Sequence, residues 1–118
     1  MDILGQRLMA SQIELTIENP EEQTLTIKLM FPTDFGNNIF DVRYLKFHKV
    51  TFYKLEEIIL PLGRPSQITQ INDLGIETQN ILLPADNIEY EINRKRFEIL
   101  TTVGKRTINF SSYEFTEN

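Results

Sequence analysis

Along most of this chain apolar residues recur at every second position, the spacing that puts them on one face of a pleated strand and leaves the other face polar. Ile13, Leu15 and Ile17 alternate with Gln12, Glu14, Thr16 and Glu18, which reads as a first strand with one buried face. Asn19-Pro20-Glu21-Glu22 follows, a turn by composition, because Pro fixes φ and Asn bonds to its own backbone. Leu25, Ile27, Leu29 and Phe31 then alternate with Thr24, Thr26 and Lys28, so a second strand returns along the first as a hairpin.

The rest of the chain keeps to this pattern with one interruption. Pro32-Thr33-Asp34-Phe35-Gly36-Asn37-Asn38 is dense in turn formers and reverses the chain. From Phe40 to Tyr53 the apolar phase moves from Val42 and Tyr44 to Leu45 and Phe47 and returns at Val50 and Phe52, which a break into two strands near His48 accounts for. Lys54 to Leu60 is the one segment with helical spacing, Leu55, Ile58 and Ile59 sharing a face before Pro61 stops it. Pro61 to Pro84 reads as a long connection, with Ile68 and Ile71 in one short strand and Leu74 to Glu77 in another. Alternation resumes through Ile88, Tyr90 and Ile92, then through Phe97, Ile99, Thr101 and Val103. Gly104-Lys105 supplies a tight turn, and Thr107 to Phe115 closes a last hairpin. The expected fold is all-β, an antiparallel sandwich or small barrel of about seven or eight strands with at most one short helix. One domain over residues 1–118 is expected, without repeats, low-complexity tracts or linkers.

At 118 residues, with 41% hydrophobic and 25% charged, the chain has the composition of an ordinary globular protein and buries roughly two-thirds of its unfolded surface on folding. It has no cysteine, which removes disulfides, thiolate metal ligands and cysteine nucleophiles. Leu8 to Ala10 is too short an apolar run for a signal-peptide core, and no stretch approaches the roughly 20 apolar residues of a spanning helix. The expectation is a cytoplasmic protein with no membrane partner.

Charge is unevenly placed. The net −5 resides in one segment: between Arg64 and Arg94 there is no Lys or Arg, yet Asp73, Glu77, Asp86, Glu89 and Glu91 fall there, and the remaining acids and bases balance. A one-signed surface speeds encounter with an oppositely charged partner and discriminates against like-charged ones. These five acids are the candidate partner-binding residues. Solvation of a strand face is the plainer use of the same charges. An acidic balance also argues against nucleic acid as a partner, because phosphates are neutralised by Lys and Arg.

Catalytic apparatus is sparse. The one histidine, His48, sits between Phe47 and Lys49 in the densest strand region, and no serine lies in a nucleophile-elbow pattern. The acid pairs Glu21-Glu22 and Glu56-Glu57 lack a sugar-binding composition around them. Asn72-Asp73 and Asp86-Asn87 lack the alternation of a calcium loop, and no glycine-rich phosphate loop occurs. No cofactor and no metal site is expected. Arg94-Lys95-Arg96 and Lys105-Arg106 flank one hairpin; they read better as charges protecting sheet edges than as a basic face for nucleic acid.

The order of the early amphipathic hairpin, Leu45-Lys46-Phe47-His48-Lys49-Val50, the turn Pro65-Ser66-Gln67-Ile68 and the closing hairpin resembles that of small all-β bacterial immunity proteins encoded beside polymorphic toxins. The resemblance implies a stoichiometric role, binding a cognate toxin and blocking its active site without chemistry of its own. An acidic inhibitor suits a basic toxin. The expected function is thus a non-catalytic protein-binding domain. The alternatives are a self-associating assembly subunit, which would be a homo-oligomer, and an enzyme using His48 and loop acids.

Overall fold

The computed structural model describes residues 8–34, 36–37, 39–58 and 66–116. Its elements are eight strands: β1 (Gln12–Asn19), β2 (Thr24–Asp34), β3 (Ile39–His48), β4 (Phe52–Glu57), β5 (Ser66–Leu83), β6 (Ile88–Thr101), β7 (Gly104–Phe110) and β8 (Ser112–Thr116). All pair antiparallel in one sheet of order β4-β7-β6-β5-β1-β2-β3-β8. The chain is all-β, as its alternation predicts, and no helical element occurs among the described residues.

The sheet folds over on itself without closing into a barrel. β3 and β7 stand far apart in strand order, yet the rings of Phe47 and Phe110 lie edge to face with centroids 4.8 Å apart. Phe97 of β6 meets Phe110 at 4.7 Å and Phe47 at 6.2 Å, so three rings join the two halves. Leu25, Ile27 and Leu29 of β2, Leu45 of β3, Ile68 and Ile71 of β5, Ile99 of β6 and Ile108 of β7 complete the core, with Leu8 plugged in before β1.

Three departures from the alternation reading have physical causes. Lys54 to Glu57 are strand, because β4 finds a full ladder on β7 from Phe52↔Asn109 to Glu57↔Gly104, and six pairings outweigh a weak helical spacing. Of the remainder of that expected helix, Ile58 is in no regular element and residues 59–60 lie outside the described residues. Within the expected long connection, residues 61–65 lie outside the described residues, Ser66–Leu83 form the 18-residue strand β5, whose low hydrophobicity reflects exposure, and Pro84 belongs to the turn before β6. Ile68 and Ile71 both reach the core because a register shift between Ile68 and Gln70 adds one residue between them.

The third departure is in β1. A register shift between Ile13 and Leu15 turns the strand over, so Thr16 pairs with buried Ile27 and Glu18 with buried Leu25, while Leu15 and Ile17 point out and are about half exposed. The face expected to be apolar is therefore split, Ile13 inward and Leu15 and Ile17 outward. The last turn also moves slightly: Thr102 and Val103 make it, and Gly104 is already the first residue of β7.

Candidate functional site

β5 and β6 outrun the body of the protein. From Ile76↔Lys95 to Leu83↔Ile88 they pair with each other, whereas β7 joins β6 only from Lys95 onward and β1 reaches β5 only at Ser66 and Gln67. Ten residues of rise from Asp73 to Leu83 give an arm of roughly 33 Å. That length is consistent with overall dimensions of 58 × 30 × 26 Å. From Asp73 to Glu91 every residue is exposed except Glu77 and Gln79, which are half-buried.

Local chemistry shapes both ends of the arm. At its root the β5 register shifts between Asp73 and Ile76; Gly75 takes φ +85° and donates its N–H to Asp73 Oδ1 at 2.9 Å. At its tip Pro84 opens a four-residue turn, Asp86 donates its N–H to the Leu83 carbonyl at 3.2 Å, and Asn87 takes φ +52°. Pro supplies the fixed φ and Asn tolerates the left-handed conformation.

Pairing partitions the arm into two faces, because successive side chains in a strand point to opposite sides. One face carries Ile81 beside Tyr90, Leu83 beside Ile88, and Gln79 beside Ile92. The other carries Leu82 beside Glu89, Asn80 beside Glu91, and Thr78 beside Asn93. The apolar face bends toward the body: the Thr51 hydroxyl donates to Gln79 Oε1, Arg94 Nε donates to the Lys49 carbonyl at 3.0 Å, and Ile81 lines a cleft shared with the β1–β2 turn.

The five acids picked out from the sequence divide by role. Glu89, Glu91 and Asp86 lie together on the outer half of the arm, the first two on one face and Asp86 in the turn. Asp73 is taken up by the Gly75 bulge, and Glu77 lies on the opposite face with its Oε1 3.7 Å from Arg96 Nη1. The basic cluster is dispersed. β6 and β7 are interior strands, so edge protection does not describe it: Arg96 binds Asn109 Oδ1 at 2.7 Å and stacks over Phe52, Lys105 pairs with Glu98 at 3.9 Å, and Arg106 is buried.

Arg106 belongs to a polar cluster that strand reading does not reveal. Its guanidinium grips Glu57 through Nε–Oε2 at 2.9 Å and Nη2–Oε1 at 2.8 Å, and Nη1 donates to Thr16 Oγ1 at 2.7 Å. The Ser66 and Thr101 hydroxyls each donate to Glu57 Oε2 at 3.0 Å. Burial pushes the Glu57 carboxyl up, but Arg106 and the two hydroxyls outweigh it and hold its pKa below the usual carboxylate range. Burial likewise raises the Tyr53 phenol, Arg106 opposing and Glu57 and Glu18 adding to the rise. Every polar group here is committed to another, and the cluster ties β4 and β7 to β1, β5 and β6. It is a structural clamp.

His48, half-buried at the end of β3, pairs with Ser112 of β8, its carbonyl accepts from the Ser111 N–H at 2.9 Å, and its Nε2 lies 3.3 Å from Glu114 Oε1. Among the described residues no three His, Asp or Glu side chains gather as metal ligands do, and no helix is long and apolar enough to cross a membrane. The chain matches no known protein family, no curated protein and no solved structure.

Proposed function

We propose that the protein is a non-catalytic protein-binding domain that engages a basic partner through the β5–β6 arm. The observation carrying this reading is the arm's composition: a long exposed hairpin with an apolar face, an acidic face and no cation between its root and Arg94. The acids accelerate encounter and the apolar face supplies area to bury. A two-stranded ribbon with an apolar face is poorly stabilised alone in water, so cover for that face is favourable. In the immunity-type reading that the sequence pattern supports, the partner is a basic toxin and binding occludes its active site.

The test is capture from the source organism by tagged wild-type protein and by the variant Asp86→Asn/Glu89→Gln/Glu91→Gln, at low and high salt. A basic protein retained by the wild type, lost from the variant and released by salt supports the reading. Equal capture by both proteins removes the electrostatic component.

A second reading, self-association through the same arm, draws on the exposure of Leu83, Ile88 and Tyr90 on one face. Sedimentation of the protein alone decides it: a monomer at high concentration leaves the arm for another partner.

A further inference from the structure

Where the outer half of the arm faces the body, the β1–β2 turn, the β3–β4 connection and Ile81 enclose an open cleft of about 400 Å³. We propose that this cleft is a socket for a lysine or arginine side chain of the partner; the inference rests on the protein-binding reading of the arm and adds a second contact, on the body.

The chemistry of the lining selects such a side chain. Leu25, Val50, Tyr53 and Ile81 offer an apolar and aromatic surface to a methylene stem, Glu18 offers a carboxylate to its head, and no Lys or Arg lines the cleft. Glu18 reaches this position through the β1 register shift, which sets it beside Leu25 instead of on the outer face. It makes no ion pair among the described residues, whereas Glu77, nearby on the arm, already has Arg96.

The socket is formed before anything enters it. The Val50 N–H donates to the Gln23 carbonyl at 2.7 Å, joining the connection to the turn, and the Thr51 N–H donates to the Asn109 carbonyl at 3.0 Å. The Thr51–Gln79 hydrogen bond ties the arm to the same wall. A preformed site spends little conformational entropy on binding. Because Ile81 belongs both to the cleft and to the arm's apolar face, a partner lying along that face brings its basic side chain to Glu18.

The experiment is an NMR titration of the full chain with N-acetyl-arginine amide and with N-acetyl-citrulline amide, which has nearly the same shape and no charge. It is run on the wild type, Glu18→Gln and the triple arm variant Asp86→Asn/Glu89→Gln/Glu91→Gln. The expected result is saturable shifts at the amides of Thr24, Thr51 and Tyr53 with the arginine compound. Affinity falls about tenfold with the citrulline compound or with Glu18→Gln and is preserved in the triple variant. Equal affinity for both compounds, shifts confined to the arm, or no shift overturns the socket. The arm reading fails separately: the triple variant then captures the basic partner as the wild type does, whatever the titration shows.

Discussion

Arg106 on β7 and Glu57 on β4 form a two-pronged ion pair in which both side chains are about nine-tenths buried. Such a pair adds little net stability, since desolvation offsets the attraction, but each ion is expensive without the other. Glu57→Ala therefore costs about 3–5 kcal/mol in urea unfolding, and the joint replacement Glu57→Leu/Arg106→Met recovers most of it. An equal loss in the joint variant would show that the pair itself is a large net stabiliser.

The same pair makes stability depend on acid. Glu57 has its folded pKa below the ordinary value of about 4.3, so its contribution is complete above that pH and disappears as pH falls through the lower folded value. Glu57→Gln is consequently less stable than the wild type at neutral pH, with the gap narrowing below about pH 4. Parallel stability curves between about pH 7 and 2 would separate Glu57 from the acid transition.

Two glycines with positive φ answer differently to alanine. A Cβ at Gly104 meets the Glu56 carbonyl oxygen at 2.0 Å, so the β4–β7 ladder must move, and Gly104→Ala costs about 3 kcal/mol or more. Gly75 has nothing within 4 Å, leaving only the strain of φ +85°, so Gly75→Ala costs about 1 kcal/mol. Equal melting temperatures for the two variants would contradict this difference.

Phe110→Ala removes the ring that touches Phe47, Phe97 and Tyr113 together. The expected loss is about 3–5 kcal/mol, a large share of the 5–15 kcal/mol typical of a whole domain. Calorimetry reads it as a large drop in melting temperature.

The arm contributes no residue to the core cluster, so the body is expected to fold without it. Replacing residues 78–93 with Asn-Gly, which closes the hairpin after Glu77↔Arg94, changes stability by about 1 kcal/mol or less and abolishes capture of a basic partner. Collapse of the fold on this deletion would make the arm a structural element.

Alternation of apolar residues was sufficient to determine the all-β class, most strand positions and the break after His48, because a period of two is a property of the strand itself. The acidic segment was legible for the same reason, charge being local to the sequence. Three features came only from tertiary structure. The register shift in β1 is set by its partner: pairing with β2 leaves Leu15 and Ile17 exposed and half-buries Thr16, with Glu18 set beside Leu25, and no count along β1 alone reveals it. The strand at Lys54 to Glu57 exists because β7 offers it a ladder, and the pairing of Glu57 with Arg106 joins residues 49 positions apart. Half of the arm was hidden too: Ile88, Tyr90 and Ile92 alternate, but the exposed part of β5 carries no such pattern, and what makes β5 one strand is its cross-strand hydrogen bonding to β6.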